Sequence, residues 1–231
     1  MSFVDDLLDM RQLYEGAFRL DNQPFDMHKV LKLIEDIFSP QCKSKGIKLT
    51  IETSLDTTDL ESQTVPQRSQ LPVLCGDARR LKQVLMNLIK NSLKFTQSGE
   101  IKLSLKYEAE TTKELIVVVT DTGVGFEPLD AEMLFTRFGK LQSSKKLNCE
   151  GIGLGLTIVK SIVEKAGGSV SAQSEGVGKG SVFLFTMPLQ TVGALDLSNL
   201  TDHSNIGEDD LIVFDDDPMF KEALKAKNRV C

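Results

Sequence analysis

The sequence predicts one α/β domain of ordinary size with short flanking pieces, and three observations carry that expectation. Residues Ile47-Lys48-Leu49-Thr50-Ile51 alternate with period two, as a half-buried strand does. Asp77 to Phe95 gathers Leu81, Val84, Leu85, Leu88 and Phe95 on one broad face, as an amphipathic helix does. At 231 residues and 41% hydrophobic, the chain is long enough for one core but not for several.

The elements follow in order. Val4 to Tyr14 reads as a helix without a cap before it, ended by Gly16 and Asn22-Gln23-Pro24. Asp26 is a suitable N-cap for a second helix, which sets Val30, Leu31, Ile34, Ile37 and Phe38 on one side. Gly46 opens the strand that ends at Ile51, and the polar stretch Thr53 to Gln70 reads as a surface connection. Pro72 to Cys75 is a short strand, after which Asp77 caps the long helix to Phe95. The turn Gln97-Ser98-Gly99 leads to strands Ile101–Tyr107 and Leu115–Thr120. From Asp121 to Gly153 the chain is glycine-rich and irregular for more than 30 residues, a length that usually marks function. Leu154 to Ala166 is a helix closed by Gly167-Gly168. Strands Ser169–Gln173 and Ser181–Leu189 flank the turn from Gly176 to Gly180.

Composition excludes several classes. The net charge of −6, with basic residues spread through the chain, gives no footprint for nucleic acid. The apolar runs fall far short of the roughly 20 residues that cross a bilayer, and the acidic N-terminus is unlike a secretory signal. A cytoplasmic domain without direct membrane contact is expected, whether or not a longer parent is anchored. The four cysteines are scattered and the chain has two histidines, so free thiols are expected rather than zinc sites or disulfides.

Three stretches carry chemistry. On the helix Asp77–Phe95, Gln83, Asn87, Asn91 and Lys94 form a second stripe. Asparagine is a mediocre helix former, and two amide oxygens suit Mg²⁺, which completes its shell with water and phosphate. Lys94 would reach the same phosphates; the alternative is a solvated helix face. Asp121-Thr122-Gly123-Val124-Gly125 places an acid at a strand end before Gly-x-Gly. Such a carboxylate can accept from an exocyclic amine such as that of adenine, or it can belong to an ordinary turn. Gly151-Ile152-Gly153-Leu154-Gly155 leads straight into a helix, a phosphate cradle by dipole and free N–H groups. It lacks the Walker A lysine and the dinucleotide-binding spacing. Between the last two, Phe135 and Phe138 in Leu134-Phe135-Thr136-Arg137-Phe138-Gly139-Lys140 are either a hinge or core contacts.

Together, order and spacing resemble the nucleotide-binding domain of histidine kinases. Asn87-x-x-x-Asn91-x-x-Lys94-Phe95 is similar to that family's asparagine box, and Asp121-x-Gly123-x-Gly125 to its first glycine box. Phe135-Thr136-Arg137-Phe138 resembles its phenylalanine box, and Gly151-x-Gly153-x-Gly155 its second glycine box. The similarity runs from about Asp26 to Leu189. It implies a two-layer α/β sandwich of the Bergerat type, a mixed sheet backed by helices with a mobile lid between the glycine boxes. It also implies that Asp121 reads adenine, that Asn91 and Asn87 hold Mg²⁺, and that Asn87 and Lys94 serve catalysis. The ATP contacts it implies are Asn87, Asn91, Lys94, Asp121, Gly123, Gly125, Gly151, Gly153, Leu154 and Gly155. Gyrase, MutL-type and heat-shock ATPases of the same fold carry a glutamate where Asn87 stands. An amide is no base, so the resemblance favours phosphoryl transfer to a protein side chain over hydrolysis.

The same resemblance divides the chain. Residues 1–20 are similar to the end of a dimerisation and phosphoacceptor helix, 21–190 to the catalytic domain, and 191–210 to a linker. Residues 211–231 resemble the start of a receiver domain, with Asp215 and Asp216 as an incomplete Mg²⁺ pair. His28, expected as an exposed residue of a capping turn, and His203, in the linker, are not expected to be the phosphate acceptor. The expected partners are therefore a phosphoacceptor histidine domain, in the parent chain or in trans, and a receiver or response-regulator domain. A slow gyrase-type ATPase and a nucleotide-binding interaction module without kinase activity are the alternatives.

Overall fold

A computed structural model describes residues 19–56, 71–136 and 154–192. The compact unit is Leu20–Thr191. Among the described residues eight strands occur in it: β1 Gln23–Phe25, β2 Ile47–Asp56, β3 Leu74–Gly76, β4 Gly99–Glu108, β5 Glu114–Asp121, β6 Ser169–Gln173, β7 Ser181–Pro188 and β8 Gln190–Thr191. Three α-helices accompany them: α1 Met27–Ser44, α2 Ala78–Phe95 and α3 Gly155–Lys165.

The main sheet has the order β2-β4-β5-β7-β6. Its β2–β4 pair is parallel and the others are antiparallel, so the sheet is mixed as expected. Alternation decides its faces. Ile101, Leu103, Leu105 and Tyr107 of β4 are buried, and so are Leu115, Val117 and Val119 of β5 and Phe183, Phe185 and Met187 of β7. All three helices pack on this sheet. They meet it with Ile34 and Phe38 of α1, Leu85 and Leu88 of α2, and Ile158 and Ile162 of α3, all buried. This is a two-layer α/β sandwich.

Caps fix where the helices begin. The Asp26 carboxylate accepts from the N–H of His28 at 2.8 Å, and that of Asp77 from the N–H of Arg80 at 2.9 Å. The Lys45 ammonium donates to the carbonyl of Leu93 at 2.7 Å, where α2 runs out of intrahelical partners. A second, small sheet joins β1, β3 and β8 and ties the two ends of the unit together. Tyr107 braces that junction by donating its hydroxyl to the carbonyl of Leu189 at 2.9 Å.

Several local expectations are corrected. Strand β2 continues to Asp56, through residues read as surface connection, because all ten of its residues pair with β4. Gln23–Phe25 is a strand rather than part of a helix stop, and Thr191, read as the first linker residue, ends the strand Gln190–Thr191; each is too short to show a period and pairs with β3. The irregular stretch after Asp121 contains two 3₁₀ turns, Pro128–Asp130 and Glu132–Phe135. His28 is half-buried, with its Nε2 shielded and without a hydrogen-bond partner, rather than an exposed capping residue. The helix expected at Val4–Tyr14, His203, and the receiver-like segment with Asp215 and Asp216 lie outside the described residues. Among the described residues, no helix is long and apolar enough to cross a membrane, and Cys42 and Cys75 are free thiols.

Leu88 is fully buried where α2 meets the sheet. Leu88→Ala should lower the unfolding free energy by about 2–5 kcal/mol in a urea titration, with the slope of the transition unchanged.

Candidate functional site

The site begins with the last residue of β5. Asp121 is only 4% exposed, although a carboxylate placed there loses most of its hydration. Three neighbours compensate. The N–H of Gly123 donates to its Oδ1 at 2.9 Å, and the hydroxyl of Ser92 on α2 donates to its Oδ2 at 3.0 Å. Ser181, paired with it in register on β7, contributes backbone and side-chain hydrogen bonds. Burial still wins: it holds the Asp121 carboxyl above its ordinary value, with the bonds from Gly123, Ser92 and Ser181 acting against it.

The loop after Asp121 is held by backbone bonds to two elements. Val124 donates to the carbonyl of Phe95 at the end of α2, at 3.1 Å. Gly178 and Gly180, in the turn between β6 and β7, donate to the carbonyls of Val124 and Gly123 at 2.6 and 3.1 Å. Gly125 sits at φ +61°, the left-handed region that glycine enters without penalty. A Cβ at Gly123 would stand 2.6 Å from the carbonyl oxygen of Phe95 and 2.9 Å from Asp121 Oδ1. The Gly-x-Gly spacing is thus a packing requirement here.

The second half of the site is where α2 and α3 meet. Gly155 opens α3, whose N-terminus has no side-chain cap, so its first N–H groups keep no partner from a capping side chain. A Cβ on Gly155 would lie 3.4 Å from Asn87 Oδ1. Two motifs far apart in sequence are therefore in contact. The Asn87 Nδ2 is buried and has no hydrogen-bond partner, an orphan donor directly beside the start of α3. Asn91 lies one turn further along α2 and is half-buried. Lys94 follows on the same stripe, with its ammonium 5.2 Å from the centre of the Phe95 ring.

The structure does not bring Gln83 into this group. Its side chain is buried at the opposite end of the stripe, where its Oε1 accepts from Arg80 at 2.8 Å. A cavity of about 320 Å³ lies near Arg80, lined by Phe25, Cys75, Asp77 and Leu189. Its lining includes none of Asn87, Asn91, Lys94, Asp121 and Gly155, so this cavity is separate from the site. Phe135 is buried, and the carbonyl of Thr136 accepts from the hydroxyl of Thr157 on α3 at 3.3 Å. Arg137, Phe138, Gly151 and Gly153 lie outside the described residues, and Leu154 is the N-cap residue of α3. Sequence reasoning missed Ser92 and Ser181. Ser92 had a usable signal, a small polar residue next to Asn91 on the buried side of an amphipathic helix. Ser181, at the start of a strand, had none.

Comparison with known proteins bears on the family and the fold. The family model for histidine kinase-, DNA gyrase B-, and HSP90-like ATPase matches residues 76–191. The autoinducer 2 sensor kinase/phosphatase LuxQ of Vibrio vulnificus is 33% identical over 196 residues, which cover 82% of this chain and 21% of LuxQ. Hybrid signal transduction histidine kinase B of Dictyostelium discoideum is 30% identical over 90% of this chain and 10% of its own length. The chain thus spans about a fifth of the first of these curated relatives and a tenth of the second. Among solved structures, full-length ShkA in complex with AMPPNP has a TM-score of 0.67 at 30% identity, covering 83% of this chain and 36% of ShkA. The catalytic domain of histidine kinase ThkA shares the fold, with a TM-score of 0.57 at 22% identity over 73% of this chain and 95% of that domain.

The raised value at Asp121 fixes a sign. Its stabilising contribution is complete below the unfolded value, near 3.8, and is lost as pH rises through the higher folded value. Asp121→Asn should therefore leave the nucleotide-free domain at least as stable as wild type at pH 7. Urea titrations between pH 4 and 7 should also show a shallower fall of stability with pH in the variant.

Proposed function

This chain belongs to the histidine kinase-, DNA gyrase B-, and HSP90-like ATPase family, and we propose that its described unit is the Mg·ATP-binding catalytic domain of a sensor histidine kinase. In this reading it presents the γ-phosphoryl of ATP to a histidine supplied by another segment or chain. The observation that carries it is the contact between Asn87 on α2 and Gly155 at the start of α3, on the same helix whose Ser92 bonds the buried Asp121. That arrangement offers a base-binding acceptor and a phosphate-binding end within one site.

Each residue has a role in this reading. Asp121, ionised, accepts from the exocyclic amine of adenine, and its three donors hold the carboxylate in position. Gly123 and Gly125 keep the loop clear of side chains. The uncapped N–H groups of α3, reached through Leu154 and Gly155, take phosphate oxygens, as Gly151 and Gly153 do before them. The orphan Nδ2 of Asn87 finds its partner in a phosphate oxygen. Lys94 adds a positive charge to the same region.

The donor set also suits magnesium, which prefers hard oxygen ligands and keeps few from the protein. Asn87 and Asn91 would hold it through their amide oxygens together with the phosphates. The ion's chemistry there is to neutralise charge on the phosphate oxygens. Asn87 has no basic group to activate water, which supports transfer to a side chain over hydrolysis. The partners in this reading are a phosphoacceptor histidine domain and a receiver domain. ATP as substrate goes with a cytoplasmic location.

Calorimetric titration of a non-hydrolysable ATP analogue with Mg²⁺ tests the binding half. Wild type should bind; Asp121→Asn should bind at least tenfold more weakly, since losing a charged acceptor is worth about 1.5–3 kcal/mol. A folded wild type that binds nothing contradicts the reading. The transfer half is tested by mixing the domain, labelled ATP and a separate histidine-bearing helical domain. Acid-labile phosphate on that histidine is expected. Binding without transfer would favour an interaction module, and release of free phosphate a gyrase-type ATPase.

A further inference from the structure

We infer that Ser174 is a positioning residue for the nucleotide site: its hydroxyl fastens the β6–β7 turn to the loop after Asp121 and thereby sets Ser181 on the Asp121 carboxylate. The inference rests on the reading of Asp121 as the adenine acceptor.

Ser174 follows the last residue of β6 and is half-buried. A serine hydroxyl has one proton to donate and two lone pairs to accept with, and here all are engaged. It accepts from the N–H of Phe126 at 3.1 Å and from that of Gly176 at 3.2 Å. Its proton goes to the carbonyl of Gly180 at 2.7 Å, shorter than the 3.1 Å to the carbonyl of Gly176. One oxygen atom therefore joins three backbone segments: the loop after the first glycine pair, the near side of the turn and its far side.

The bond to Gly180 is the one with chemical reach. Gly180, at φ +75°, stands immediately before Ser181, and its missing side chain lets it press against the carbonyl of Asp121. Ser181 is buried and gives Asp121 a backbone and a side-chain hydrogen bond. A Cβ at Gly125 would lie 2.8 Å from Ser174 Oγ, so loop and turn touch with no room for adjustment by a side chain. A turn that merely closed the β6–β7 hairpin would need no hydroxyl bridging to a loop 48 residues away. The bridge ties the turn that carries Ser181 to the loop that follows Asp121. Without it, Ser181 is less well held, and the carboxylate loses part of what offsets its burial.

The test is the analogue titration with Mg²⁺ from pH 4.5 to 8 on wild type, Ser174→Ala and Ser174→Thr. Ser174→Ala should bind about five- to tenfold more weakly at pH 7, the size of one lost hydrogen bond of about 1 kcal/mol and its effect on Ser181. The acid-side midpoint of binding should move to higher pH, because Asp121 holds its proton longer when donors are lost. Ser174→Thr, which keeps the hydroxyl, should stay near wild type in both. Wild-type affinity and midpoint in Ser174→Ala would overturn the inference. So would weaker binding with an unmoved midpoint, the mark of a purely structural role. If the wild type binds no analogue, the reading of the site itself falls. If it binds and Ser174→Ala matches it, only the role of Ser174 falls.

Discussion

A carboxylate held almost dry at the end of a strand is the constraint around which this domain is arranged. Burying Asp121 without partners costs several kcal/mol, and a fold can retain such a group only by converging donors on it. Here they arrive from three directions: Ser92 from α2, Gly123 from the turn that follows, and Ser181 from the neighbouring strand β7. Each demands something of the structure around it. Ser92 requires α2 to lie with its C-terminal half against β5. Gly123 requires a side-chain-free turn against the end of that helix. Ser181 requires that β7 start opposite the point where β5 ends. Register, helix placement and glycine positions are then aspects of one condition.

Burial outweighs the donors at Asp121 and holds its carboxyl above the ordinary value. Under the proposed function, a nucleotide amine would supply Asp121 with a further donor, and only a ligand with a donor at that point would do so. The Asn87–Gly155 contact has the same character. There an amide with an unpartnered Nδ2 is set against a helix start without a side-chain cap, and under the proposed function phosphate oxygens would meet both.

Much of this was legible in the sequence. Long elements with strong periods, β4, β5, α2 and α3, stand where the apolar pattern put them, because their burial alone decides their form. The Asp-x-Gly-x-Gly and Asn-x-x-x-Asn spacings also pointed to one site, since turn geometry and helix stripes are local properties. The misses are the non-local ones. β1 and β8 are two or three residues long and are strands only because β3 lies between them. Gln83 shares a stripe with Asn87 on a helical wheel, yet Arg80 draws it into the interior. Ser181 and Ser174 act across strands and turns, and no spacing within the chain announces a partner that register alone creates.

The central claim is that Asp121 is kept ionisable but poorly solvated for a nucleotide amine. A carboxyl ¹³C NMR titration of Asp121, with and without an ATP analogue and Mg²⁺, tests it most directly. The account predicts a midpoint above the usual aspartate range in the free domain and a marked drop when nucleotide is bound, because the amine favours the charged form. An ordinary midpoint in the free domain, or one that nucleotide leaves unmoved, would contradict it.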